Sequence, residues 1–239
     1  MHLRVILPII GDTFIEQIRT EVSAWVTAGP DVDVVSIPRG PASIESEYDE
    51  ALAGPGILER VAEATRDGVD AIFVSCGADP AIQAAREITD VPVVGGFEPA
   101  MLTALTLGER VGILQVLPNV LPMLRSLARR HAIADRLGTI RVIDLPVLGL
   151  AHDDVLVDRL VAQARAAVRD GEADVLVLGC TGMLGVAAAV QDRLAADGPA
   201  VPVVDPTAAA VQWLESQVRM RLTASRTTYR TPPAKERIA

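Results

Sequence analysis

Cys76 and Cys180 are the two cysteines of the chain, and they occur in matching phrases. Cys76 ends the apolar run DAIFVSC (70–76) and Cys180 ends DVLVLGC (174–180), each six residues after an aspartate. VPVVG and VPVVD then begin fifteen and twenty-one residues after the cysteines. A single free cysteine is most simply a small buried residue. A matched pair with no third cysteine points to function. Two thiols on opposite faces of a bound carbon can take a proton from one face and return one to the other, which inverts a stereocentre. One must then be thiolate and the other thiol, with the roles exchanged for the opposite enantiomer. A thiol of pKa about 8.5 is only weakly ionised at pH 7, so the thiolate needs help. CGADPA and CTGM place each cysteine where a helix is predicted to start, and N–H groups there would lower the thiol pKa and stabilise an enolate. Gly77 and Gly182 are predicted to let the backbone approach a substrate closely.

The elements that must carry these loops alternate along the chain. In the first half, strand 3–9 precedes a helix over 13–27, and strand 33–38 precedes a loop over 39–54. A helix opens at Pro55 and stops at Gly68, both favoured terminal residues. Strand 70–76, helix 80–89 and strand 91–95 follow. The second half repeats the order, with strand 110–116, a helix through 119–131 that Pro122 restricts, and strand 140–146. A helix over 153–169, strand 174–180, a helix from about Met183, strand 201–205 and a last helix complete it. Strands separated by helical crossovers predict parallel sheets with helices on both faces. The fold class expected is α/β, with two pseudo-symmetric lobes and the site in the cleft between them. Ligands of such sheets bind beyond the carboxyl ends of the strands, where both cysteines fall. The lobes are placed at 1–98 and 99–205. The helix at 206–222 is expected to return to the first lobe, with 223–239 as a tail.

Composition removes several classes of chemistry. The net charge is −9 and the basic segments are short, which excludes a phosphate-neutralising nucleic-acid surface. No apolar run reaches membrane-span length, and MHLRVILPIIGDTF does not resemble a signal peptide. Reduced thiols and a cytoplasmic location are therefore expected. Lys235 is the only lysine and lies in the tail, which leaves neither a pyridoxal Schiff base nor a Walker loop. His2, His131 and His152 show no metal-ligand spacing. Neither a metal nor an organic cofactor is expected, and the partner is a small-molecule substrate.

At the cysteine segments the sequence resembles the aspartate/glutamate/hydantoin racemase superfamily, most closely its hydantoin racemase branch. The stretches that carry the resemblance are GPASIESEYDEALAGPGILE (40–59), SCGADPAIQAAREITDVPVVGGFEPA (75–100), VLGCTGM (177–183) and TASRTTYRTPP (223–233). The resemblance implies two α/β lobes, cofactor-free catalysis and a homo-oligomer. It makes Cys76 and Cys180 the acid/base pair, with Thr181 and Gly182 in an anion-binding loop and Ser43 in a loop near the substrate. It also places Ile10, Gly77 and Ala78 at substrate-contacting positions. The family's N-P-N-[TS] motif after the first strand is replaced here by LPIIGDTF, with Ile9 and Ile10 where polar contacts would stand. Gly77 replaces a residue that is often bulky. Both departures imply a more apolar, differently shaped pocket.

Other polar residues are read as supports. Asp79 is expected to cap the helix that follows it, and Asp205 the last helix. Glu45, Glu47 and Asp49 are expected at a polar helix start or loop. Glu98 either contacts substrate or marks the crossover between lobes, and His152 is expected in an exposed loop. The expected activity is racemisation or epimerisation of a 5-substituted hydantoin or allantoin-like cyclic ureide. An amino-acid racemase, a maleate isomerase, a decarboxylase, a non-catalytic bilobal binder and a domain with two inert packed cysteines are the alternatives. No arginine stands out for a substrate side-chain carboxylate, which weighs against free aspartate or glutamate. The basic tail is expected to pack on a neighbouring subunit.

Overall fold

Each half of the chain builds one four-stranded parallel sheet, seen in a computed structural model that describes residues 1–27, 29, 31–150, 154–196, 198 and 200–236. The first half comprises β1 (His2–Leu7), α1 (Ile15–Trp25), β2 (Asp31–Ser36), α2 (Glu47–Asp67), β3 (Ala71–Val74), α3 (Ile82–Ile88), β4 (Val93–Val94) and α4 (Phe97–Ala104). The second comprises β5 (Val111–Gln115), α5 (Leu121–Arg130), β6 (Leu137–Val142), α6 (Asp154–Arg169), β7 (Val175–Leu178), α7 (Ala187–Ala195), β8 (Val203–Val204) and α8 (Pro206–Met220). The strand orders β2-β1-β3-β4 and β6-β5-β7-β8 are the same permutation. Val5 pairs with Phe73 in one sheet and Ile113 with Val177 in the other. β3 and β7 are buried along their whole length, as strands covered on both faces must be. No helix among the described residues is long and apolar enough to cross a membrane.

The final helix of each half packs on the other half's sheet. Phe97, Ala100, Met101 and Ala104 of α4 share a core with Val111, Ile113, Val175 and Val177. Ala210, Val211 and Leu214 of α8 share one with Leu3, Val5 and Phe73. α4 and α8 also contact each other, so the crossovers hold the two sheets in a fixed relation.

Three elements differ from the sequence expectation. α2 begins at Glu47, eight residues before Pro55, which lies inside the helix. Ser46 caps it by accepting the Asp49 N–H at 3.2 Å, and Asp49 accepts the Glu45 N–H and the Ser46 hydroxyl in return. Glu47, Asp49 and Glu50 place negative charge on the first turn, where the helix dipole favours it. An internal proline costs roughly 3 kcal/mol. Burial of Ile57 and Val61, about 1.5–3 kcal/mol each, outweighs it. The second difference is α7, which starts at Ala187 rather than near Met183, because Gly185 turns the chain at φ 67°. The third is β6, which ends at Val142 while Leu145 and Pro146 leave the sheet after Asp144 at φ 57°.

Candidate active site

The two cysteines occupy equivalent positions, each two residues beyond the end of a central strand, β3 or β7. The last ladder bonds match: Ser75 N–H donates to the Ile6 carbonyl at 2.9 Å, and Gly179 N–H to the Leu114 carbonyl at 2.8 Å. Both chains then turn sharply. Cys76 N–H donates to Val74 at 2.8 Å, and the Cys180 carbonyl accepts from Met183 at 3.1 Å. Each sulfur accepts a backbone N–H from two residues downstream, Ala78 for Cys76 and Gly182 for Cys180.

Glycines let the two loops meet. A Cβ on Gly77 would overlap the Gly179 carbonyl and approach the Cys180 Cα, while one on Gly96 would meet the Thr181 methyl and the Cys76 carbonyl. The missing side chain at Gly77, expected to serve a close approach to substrate, is thus required by contact between lobes. Gly182 has more room, with Leu150 Cδ1 and the Cys180 sulfur as neighbours.

Between the cysteines lies a cavity of about 90 Å³. Cys76, Gly77, Cys180, Thr181 and Gly182 line it. Ile10, Ser43 and Ala78 do not: Ile10 faces solvent, Ser43 is half-buried beside the site, and Ala78 is buried in the core behind Cys76. Their neighbours Ile9 and Ile44 reach the cavity instead. These residues sit in bends and turns beyond the strand ends, where one step along the chain re-aims the side chain.

The walls are apolar. Leu7, Phe14, Ile18 and Leu184, which share one core, line the cavity together with Ile44, Val147 and Leu150. Besides the thiols, the polar side chains are Gln17, Ser75 and Thr181, and no charged side chain lines the cavity among the described residues. The Ser75 hydroxyl oxygen is buried with no hydrogen-bond partner. Sequence reasoning missed Gln17, Ser75 and the Val147–Leu150 segment. Adjacency to Cys76 was a usable signal for Ser75, whereas the others come from distant elements.

Both thiols are held in the neutral form. Burial pushes the Cys76 thiol strongly up, and the charges of Cys180, Glu50 and Asp79 add to it against the Ala78 N–H. Burial pushes Cys180 up to about 11, with Glu45 adding and the Gly182 N–H opposing. The expected lowering by helix N-termini is overturned. α3 and α7 begin six and seven residues after their cysteines, because Asp79, Ala81 and Gly185 adopt positive φ between.

Asp79 caps a helix, but α4 rather than α3. Its two carboxylate oxygens accept the Phe97 and Glu98 N–H groups at 2.7 and 2.9 Å, which ties the Cys76 loop to the crossover helix. Asp205 caps α8 through the Thr207 and Ala208 N–H groups. Glu98 lies outside the cavity, paired with Arg86 and 3.7 Å from His131 Nδ1. Asp79, Glu98 and His131 bring potential ligand atoms within 4.8 Å of one another. Arg86 and the two N–H donors already engage these carboxylates, so the group is a charge network that anchors α4. The tail completes it on the same chain. Tyr229 lies under the Arg86 guanidinium at 5.6 Å, and Arg226 binds the Asp90 carboxylate and the Arg86 carbonyl. His152 lies outside the described residues.

The fold and site define a class: two-lobed α/β proteins with a paired-cysteine pocket at their pseudo-two-fold. The family model for Asp/Glu/hydantoin racemases matches residues 4–214, and the chain belongs to that family. A hydantoin racemase of Paenarthrobacter aurescens is 33% identical over 239 residues, covering 99% of each chain. One from a Pseudomonas species is 33% identical over 238 residues, 99% of this chain and 94% of that protein. The structure of an allantoin racemase from Klebsiella pneumoniae superposes with a TM-score of 0.91 at 30% identity, covering 100% of this chain and 96% of that one. The protein is an isomerase of the racemase class.

Proposed function

We propose that the protein racemises 5-substituted hydantoins, without a cofactor, by two-base proton transfer between Cys76 and Cys180. The observation that carries this reading is the pair of thiols at equivalent strand ends in a cavity that no charged side chain lines among the described residues. An ionised amino acid would need a counter-charge for its carboxylate, and the described lining offers none. A neutral ring with amide groups fits better, with Gln17, Ser75 and Thr181 as its polar partners and an apolar substituent against the walls.

In one direction the Cys180 thiolate takes the C5 proton, the bond electrons pass into an enolate on the adjacent carbonyl, and the Cys76 thiol protonates the opposite face. The protein then holds Cys180 as thiol and Cys76 as thiolate, which is the form that acts on the other enantiomer. Burial raises Cys180 less than Cys76, so Cys180 is the thiol that ionises first as the base. The Gly182 N–H, which donates to the Cys180 sulfur, stabilises that sulfur when it carries the charge. The reduced thiols this needs suit a cytoplasmic location.

Allantoin is the second substrate considered, favoured by the structural likeness to an allantoin racemase. Its ureido substituent would lie against apolar walls, so the hydantoin with an apolar group is the better fit. Polarimetry on enantiopure 5-benzylhydantoin, 5-methylhydantoin and allantoin tests the order. Loss of rotation fastest for the benzyl compound supports the proposal. Loss confined to allantoin, or to none of the three, overturns it.

A further inference from the structure

Glu45 lies just outside the cavity, at the end of the loop from β2 to α2. Its Oε1 accepts the Val147 N–H at 2.9 Å, a bond that spans 102 residues and joins the two lobes. Val147 opens a short 3-10 turn over 147–149 after Pro146, so its N–H is a donor the turn cannot satisfy internally. The loop 37–46 after β2 and the loop 143–150 after β6 hold equivalent places in the two halves. Both send apolar side chains to the cavity, Ile44 from the first and Val147 and Leu150 from the second. Ile44 packs in the core that touches Cys76, and Val147 and Leu150 against the core that touches Cys180.

We propose that Glu45 is a positioning residue that latches the 143–150 loop onto the first lobe. The latch closes an apolar lid of Ile44, Val147 and Leu150 over the cysteine pair and sets how large an apolar substituent the cavity retains. Apolar contacts are non-directional and leave the two loops free to slide, whereas a hydrogen bond fixes their register. The Glu45–Val147 bond is charge-assisted and partly buried, which makes it stronger than a neutral surface bond. Glu45 is held in turn, because its own N–H donates to Asp49 at 3.1 Å in the cap of α2. The signal that starts α2 therefore also aims the latch.

The proposal rests on hydantoin racemisation for its kinetic arm alone, and Glu45→Ala and Glu45→Gln separate its parts. Gln retains an acceptor oxygen for Val147, and Ala does not. Amide hydrogen exchange on the free protein is expected to be about tenfold or more faster at Val147 in the Ala variant, and within about threefold of the parent in the Gln variant. The Ala variant is expected to raise KM for 5-benzylhydantoin about tenfold and for 5-methylhydantoin by less than about threefold, with Gln restoring both. Unchanged Val147 exchange in the Ala variant, or equal acceleration in both, overturns the latch whatever the activity. A latch seen by exchange with no benzyl-over-methyl difference overturns the lid's role in selecting the substituent. If Val147 exchange responds as expected but the parent racemises no hydantoin, the latch stands and the racemisation reading fails.

Discussion

Gly77 lies against the carbonyl of Gly179, so the loops bearing the two proposed bases touch across the boundary between lobes. Their separation is thereby set by backbone contact and not by mobile side chains. A base pair that must reach opposite faces of one carbon needs such fixed spacing, since small misplacements in proton transfer are costly in rate.

Gly77→Ala tests that relationship. The added methyl has to displace the Gly179 carbonyl or separate the loops, with an expected loss of about 1–3 kcal/mol of stability. The loss of activity is expected to exceed what the stability change explains. Urea unfolding and racemisation at saturating substrate, measured on the same preparation, check both effects. Parent-like behaviour in both would show that the contact is not a constraint.

Thiol reactivity should distinguish the cysteines. Cys180, raised to about 11, is raised less than Cys76, so iodoacetamide is expected to modify Cys180 first. Both shifts are upward, so the thiolate fraction near neutrality is small and grows as pH rises. The Cys180 rate should climb about tenfold per pH unit from 7 to 10 and level off only near its pKa. Mass spectrometry after timed quenching gives the order and the slope.

Asp79 gives a stability prediction with a definite sign. Burial raises its carboxyl to about 7 in the folded protein, against about 3.9 in an unfolded chain. The folded state thus holds the proton more tightly. The stability this contributes is full below about pH 4 and is lost as pH climbs through about 7. Asp79→Asn removes the titration and one acceptor, so its deficit against the parent should be largest at pH 5 and smaller at pH 8.5. Asp79→Ala loses both acceptors at the start of α4, for about 2–3 kcal/mol. Chemical denaturation at the two pH values checks the sign.

The repeated architecture and the two cysteines were legible because they are written locally. Alternating apolar runs mark the strands, and the phrases around Cys76 and Cys180 recur at matching offsets. Helix starts were less legible where two signals competed. Pro55 looks like a first residue, yet Ser46 and Asp49 form a better cap that starts the helix eight residues earlier, and burial of the face containing Ile57 carries the helix through the proline. The cavity walls were the least legible. Whether Ile9 or Ile10, and Ile44 or Ser43, points inward depends on a one-residue phase that composition does not encode. The Glu45–Val147 bond joins residues 102 apart, which no local pattern reveals. Helix dipoles were a sound expectation for lowering thiol pKa, but positive φ at Asp79 and Ala81 delays α3 and leaves burial to dominate.

The two-base assignment is tested most directly by C5 proton exchange in D2O, followed by NMR on each enantiomer of 5-benzylhydantoin with the parent, Cys76→Ser and Cys180→Ser. The parent should racemise both enantiomers and incorporate deuterium as it does so. Each single variant should lose racemisation by about 10²-fold or more, while the remaining thiol still exchanges the enantiomer it faces, a different one in each variant. A single variant that racemises within about tenfold of the parent would contradict the two-cysteine mechanism.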